Sequence, residues 1–249
     1  MAINSIKMNY TWPEDYPRLF ELYREAKQRG LNNFFQDLAG KMKKTPDFDV
    51  FRNLEEDLSA LDSKSWADFK SKVFRCSMEK QEPRGYSQLV DCLNEVKGYL
   101  YLKEQGYSNI EFIPESSNAT PDIRAISENQ TVVLLEVKTI HVSDEEIRYL
   151  IENTKRIESD RGAILKDVSL GIPEGLKNKL MDSIGKACRQ LLNYEPSTNA
   201  RRIAFLIITL DIALALDPRN YKELSSFLDK QNCERVEVRY CYIRFTHEG

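Results

Sequence analysis

The chain has 249 residues, enough for one large domain or for a core of about 150 residues with an appendage. Its 41% hydrophobic and 30% charged residues, with only 10 Gly and 9 Pro, are the composition of a soluble globular protein. No apolar run approaches the roughly 18 to 20 residues that span a bilayer. The opening MAINSIKMNYTWPEDY lacks the charged-then-apolar layout of a secretory leader, so a cytoplasmic protein without a membrane partner is expected. The cysteines at 76, 92, 188, 233 and 241 are odd in number and contain no C-x-x-C pair. They suit a reducing compartment and argue against a disulfide framework or a zinc knuckle. With 36 basic against 39 acidic residues the net charge is -3, so any hold on a polyanion must come from a local patch.

The first 80 or so residues read as helical. Tyr16, Leu19, Phe20 and Tyr23 recur at helical spacing, as do Leu31, Phe34, Phe35, Leu38 and Met42, and then Phe51, Leu54, Leu58 and Leu61. A further segment, SWADFKSKVF, carries Trp66, Phe69 and Val73. The charged stretch EKQEPRG, with Pro83 and Gly85, marks the boundary between a helical region at 1–82 and a core at 83–249.

From there the pattern changes. A helix is expected over 86–105 with Leu89, Leu93, Val96 and Leu100 on one stripe, stopped by Gly106. Strand-like runs follow at 110–113, 122–126 and 131–139, the last two joined by SENQ as a hairpin turn. The run TVVLLEVKT is apolar on both faces, as an interior strand is. Amphipathic helices are expected at 144–158 and from Pro173 to Tyr194, the second with Leu176, Leu180, Ile184, Ala187 and Leu191 buried. Strands at 203–210 and 235–245 complete an α/β sandwich around a mixed sheet.

Glu136 and Lys138 interrupt that apolar strand, and residues two apart project to the same face. Such groups are rarely buried unless paired or bound to something. A solvated strand end carrying a salt bridge is the plainer reading. Asp122 weakens it, because it opens the preceding strand of the hairpin and can lie beside Glu136. Two carboxylates brought together repel unless a cation or a proton joins them, and hard oxygen donors suit Mg²⁺ or Mn²⁺. Such a cation polarises a phosphodiester and acidifies a bound water, while Lys138 can orient that water or offset charge at phosphorus.

Pro121-Asp122 followed by Glu136-Val137-Lys138 on the next strand resembles the PD-(D/E)XK nuclease superfamily, over roughly residues 86 to 245. The resemblance implies a restriction-endonuclease-like core of order αβββαβ plus a further strand. It also implies metal-dependent hydrolysis of a phosphodiester. Asp122, Glu136 and the Val137 carbonyl would hold Mg²⁺ or Mn²⁺, with Glu95 from the preceding helix ligating directly or through water. Gln190-Leu-Leu-Asn-Tyr194 resembles the Q-x-x-x-Y element of the RecB-like branch. Gln190 and Tyr194 share a helical face with Lys179, Ser183 and Lys186, a stripe suited to nucleic-acid phosphates, and Arg124 lies on the Asp122 strand. The motif also matches at Pro46-Asp47 with Asp62-Ser63-Lys64, but that stretch has helical periodicity and is set aside.

Histidine chemistry is not favoured: there are two histidines, His247 near the chain end and His141 just after the motif strand. No phosphate-binding glycine loop or dinucleotide fingerprint occurs. The expectation is therefore a metal-dependent nuclease with DNA placed ahead of RNA as substrate. The competing readings are a catalytically silent module of the same fold that binds nucleic acid or protein, and an RNA endonuclease. A homodimer would supply the two sites of a concerted double-strand cut.

Overall fold

The computed structural model describes residues 14–30, 34–35, 49–75, 87–114, 119–141, 172, 174–194, 199–210, 218–231 and 233–244. The expected helix at 144–158, most of the one at 31–42, the boundary segment EKQEPRG and Pro46-Asp47 lie outside these residues. The chain divides into two compact units, Met1–Leu100 and Tyr101–Gly249.

The first unit holds α1 (Pro17–Gln28), α2 (Asp49–Ser59), α3 (Ser63–Val73) and most of α4 (Ser87–Glu104). Pro17 suits the first turn of α1, where its missing N–H has no helical partner to lose. The next two N–H groups, of Arg18 and Leu19, both donate to the Glu55 carboxylate of α2 at 2.9 Å. A negative charge at the positive end of the helix dipole explains why this glutamate is only 6% exposed. Of the expected positions Tyr16, Leu19, Phe51, Leu58, Leu61, Trp66, Phe69 and Val73 are buried, whereas Phe20, Tyr23 and Leu54 are half-buried and α1 buries Leu22 and Ala26 instead.

Asp62 is the N-cap of α3, accepting the Ser65 N–H at 2.8 Å and the Tyr99 hydroxyl at 3.1 Å. Asp62-Ser63-Lys64 is thus the start of a helix and not part of a strand hairpin. In α4 the expected Leu89, Leu93 and Val96 are buried and Leu100 is half-buried, but Cys92, Asn94, Glu95 and Tyr99 are buried too, so burial covers more than one stripe. Gly106 ends the helix at φ +79°, with the N–H groups of Gly106 and Tyr107 returning to the carbonyls of Lys103 and Leu102. This left-handed turn is the reason for glycine there.

The second unit is an α/β structure built on a five-stranded mixed sheet in the order β1-β2-β3-β4-β5. The strands are β1 (Ser108–Phe112), β2 (Ile123–Ile126), β3 (Val132–Ile140), β4 (Arg201–Leu210) and β5 (Glu237–Arg244). β1, β2 and β3 pair antiparallel; β3, β4 and β5 pair parallel. The β2–β3 turn sits at 127–130 as expected, with Gln130 N–H donating to the Ser127 carbonyl and the Ser127 hydroxyl accepting the Thr131 N–H. Helix α5 (Glu174–Tyr194) buries the expected Leu176, Leu180, Ile184, Ala187 and Leu191. They pack on Leu134, Ile140, Ala204, Leu206 and Ile208 of one sheet face. The opposite face buries Val133, Leu135, Ile203, Phe205 and Ile207. There Tyr101 stacks on Phe205 with ring centres 4.8 Å apart. Burial on both faces is what the unbroken apolar runs of β3 and β4 require.

Two features differ from expectation. A helix, α6 (Pro218–Leu228), precedes β5 and adds Leu224 and Leu228 to the core. Cys188 of α5 and Cys233 are joined as a disulfide, with Cα atoms 6.7 Å apart, because α5 packs across β4 towards the chain that enters β5. Among the described residues this is one bridge and not a framework. Among the described residues no helix is long and apolar enough to cross a membrane.

The Ser65 N–H holds the Asp62 carboxyl below its usual range, outweighing partial burial, so its folded value lies below its unfolded one. That contribution is present above the unfolded value and fades as pH falls through the folded one. Asp62→Ala should lower stability in urea melts by about 1 kcal/mol at pH 7. The gap to the parent protein should close below about pH 4 as the parent carboxylate protonates.

Candidate functional site

Asp122 directly precedes β2, and the pairing of Ile123 with Leu135 carries one step further to set Asp122 opposite Glu136. Its backbone is part of the sheet: the Asp122 N–H donates to the Leu135 carbonyl at 3.1 Å, and its carbonyl accepts the Ile113 N–H at 2.8 Å. Its side chain extends the ladder beyond the end of β2, where Oδ2 accepts the Val137 N–H at 2.8 Å. In a strand the N–H and C=O of one residue point to the same edge. The Val137 carbonyl therefore also faces this side, past the point where β2 has begun.

Glu136 lies on the face of β3 covered by α5 and is only 1% exposed. Both carboxylate oxygens are engaged. Lys138 Nζ is 2.5 Å from Oε1, the same-face neighbour that the two-residue strand period demands. Gln190 Nε2 donates to Oε2 at 2.8 Å and also to the Thr120 carbonyl at 2.5 Å. Gln190 thus ties α5 to β3 and to the residue before Pro121-Asp122. The Lys138 side chain stays 29% exposed, so its ammonium joins a buried carboxylate to solvent.

Helix α5 runs antiparallel to β3. Gln190 meets Glu136 at one end, and Lys179 Nζ donates to the His141 carbonyl at 2.6 Å at the other. The two spans match, at about 16 Å of helix and about 16 Å of strand. Between them Ser183 is half-buried, and the Lys186 side chain is 65% exposed, 3.9 Å from Asp182. Tyr194 lies one turn beyond Gln190 and is 40% exposed. Arg124, half-exposed on β2, is in register with Leu134 and so shares the face of Glu136.

The structure thus brings Asp122, Glu136, Val137, Lys138 and Gln190 together, with Lys179 at the far end of the same seam. Glu95 belongs to the first unit, where it is buried and its carboxylate is 2.6 Å from Lys72 Nζ. Among the described residues no three His, Cys, Asp or Glu side chains converge as a metal site. The donor set still fits a hard divalent ion. Mg²⁺ is commonly held by one or two carboxylates and otherwise by water. Asp122, Glu136 and the Val137 carbonyl supply oxygen donors alone.

Two contacts went unseen in the sequence: the Thr120 carbonyl as a Gln190 acceptor, and the Val137 N–H as an Asp122 donor. The first depends on tertiary packing. The second has a sequence signal, since an aspartate one residue ahead of a strand is placed to replace a missing ladder partner. The chain matches no protein-family model and no curated protein.

Removing the Gln190 amide leaves a buried carboxylate oxygen and a carbonyl short of a donor. Gln190→Ala should cost about 1–3 kcal/mol in denaturant melts. Gln190→Glu should cost more at pH 8 than at pH 5, because it sets a second carboxylate against Glu136.

Proposed function

We propose that the chain is a divalent-metal-dependent nuclease of the PD-(D/E)XK type, hydrolysing nucleic-acid phosphodiesters with DNA ahead of RNA. The observation that carries this reading is the meeting of Asp122, Glu136 and Lys138 across the β2–β3 register, with Glu136 buried and Lys138 reaching solvent. A salt bridge at a solvated strand end would leave the carboxylate in water; here it is enclosed.

In this reading Asp122, Glu136 and the Val137 carbonyl would hold Mg²⁺ or Mn²⁺. When bound, the ion polarises the phosphodiester and lowers the pKa of an attached water. The protein's part is positioning. Gln190 fixes Glu136 and the Thr120 carbonyl, and the Asp122–Val137 bond fixes the spacing of the two acidic strands. Lys138, anchored on Glu136, hydrogen-bonds the attacking water and offsets negative charge as the water oxygen joins phosphorus and the P–O ester bond breaks. Lys186, Tyr194 and Arg124 are open enough to meet substrate, whereas Lys179 and Gln190 are also bonded within the protein.

A second reading has its own observation. Both oxygens of Glu136 already have protein donors, as they would in a catalytically silent module that binds nucleic acid.

Incubation with linear, circular and single-stranded DNA and with RNA, in Mg²⁺, Mn²⁺ or EDTA, separates the two. Cleavage that needs metal and falls about 10²–10³-fold in Asp122→Ala and in Lys138→Ala is the expected outcome. Calorimetric Mn²⁺ titration accompanies it. Absence of cleavage together with absence of Asp122-dependent Mn²⁺ binding would leave the silent module.

A further inference from the structure

Five side chains of the second unit converge on the sheet face opposite Glu136 and Lys138. They are Tyr101, Tyr107, Arg201, Glu237 and Arg239. Glu237 stands beside Ile203 in register, Arg239 stands beside Phe205, and Arg201 opens β4 on the same face. Arg201 donates to Glu237 Oε2 from Nε at 3.1 Å and from Nη2 at 2.7 Å, while Arg239 pairs with Oε1 of the same carboxylate. The Arg201 guanidinium lies 5.7 Å from the centre of the Tyr107 ring. Tyr101, stacked on Phe205, has its hydroxyl in the field of Arg239, Glu237, Tyr107 and Arg201.

The balance of this cluster is uneven. Two permanently charged guanidinium groups share one carboxylate, which leaves a net positive charge. Each guanidinium carries five N–H donors. The hydrogen bonds and ion pair to Glu237 occupy only part of that capacity. The side chains of Arg201 and Arg239 are 46% and 52% exposed, so the donors left over face solvent beside two half-exposed phenol rings. An ordinary surface ion pair is one-to-one and has no aromatic floor. Guanidinium forks match phosphate oxygens two at a time, and phenol rings offer a stacking surface to a planar base.

We propose that Arg201, Arg239, Tyr101 and Tyr107 form a second ligand site for a nucleotide unit, phosphate on the arginines and base against the tyrosines. The site is separate from the Glu136 centre. Glu237 is its resident counter-ion, holding both arginines in place and competing with the incoming phosphate. The same chemistry is offered by a free nucleotide and by one unit of a single strand.

The test is made in EDTA, so that no metal contributes. Calorimetry follows inorganic phosphate and adenosine monophosphate, and fluorescence anisotropy follows a labelled single-stranded DNA oligonucleotide. The protein is compared with Arg201→Ala/Arg239→Ala and Glu237→Gln, each checked for folding by circular dichroism. The double variant should bind about tenfold more weakly. Glu237→Gln should bind about threefold more tightly at low salt, with the gain fading as salt is raised. Preference for the mononucleotide or for the oligonucleotide names the source, and either supports the site. It is overturned by no binding of any probe, by unchanged affinity in the double variant, or by weaker binding in Glu237→Gln. Equal affinity for inorganic phosphate and the nucleotide also overturns it, since the tyrosines then contribute nothing. The outcome is independent of the nuclease assay, because Arg201, Arg239 and Glu237 lie on the sheet face opposite Glu136 and Lys138.

Discussion

The burial of one carboxylate, Glu136, sets the terms for the second unit. An ionised carboxylate taken from water is destabilised by several kcal/mol unless nearby groups replace its solvation. Here the replacement comes from two directions: Lys138 on the same strand and Gln190 from the helix above. Each of these donors is constrained in turn. Lys138 must share the face of Glu136, which the strand period guarantees. Gln190 must lie over β3, which the apolar stripe of α5 guarantees by packing on Leu134, Ala204 and Leu206. The polar contact therefore inherits its geometry from the hydrophobic one.

The first unit handles its buried acids in the same currency of donors but to a different end. Glu55 is satisfied by two backbone N–H groups and the Ser59 hydroxyl, an arrangement that caps a helix and faces no partner cation in these bonds. Glu95 is matched by Lys72 in a buried pair between α4 and α3. Breaking such a pair from one side is costly, because the remaining charge is left in a poor solvent. The three buried carboxylates among the described residues thus have three kinds of partner: backbone, distant lysine, and local lysine with an amide. Only the last leaves a charged group half in water, which is why it invites a chemical reading and the other two a structural one.

Much of this architecture was legible from periodicity. The alternation in β5, the two-faced apolar runs of β3 and β4, and the stripe of α5 each follow from where side chains point in a strand or a helix. The grouping of Asp122, Glu136 and Lys138 was legible too, because hairpin register and a two-residue spacing are local rules. What was illegible needed the third dimension. Gln190 could be assigned a helical face, but its bond to the Thr120 carbonyl depends on the height of α5 above the sheet. Helix α6 was missed although Pro218 at its start and Leu224 and Leu228 four apart signal it, since serines and a tyrosine dilute the stripe. The joining of Cys188 to Cys233 is likewise a matter of packing, for no spacing rule links residues so far apart.

The change from antiparallel to parallel pairing at β3 has a consequence for the order in which the fold can be assembled. β1, β2 and β3 follow one another through short connections, whereas β4 joins β3 only after the chain between Ile140 and Arg201 has looped back. Closing short loops loses less chain entropy and takes less time than closing long ones. The hairpin can therefore bring Asp122 to Glu136 while α5, and the Gln190 amide with it, is still remote in the chain. During that interval Lys138, two residues away, is the counter-charge that locality guarantees to be at hand. A lysine at this position thus lets a strand hairpin carrying two acids close ahead of the helix that later encloses it.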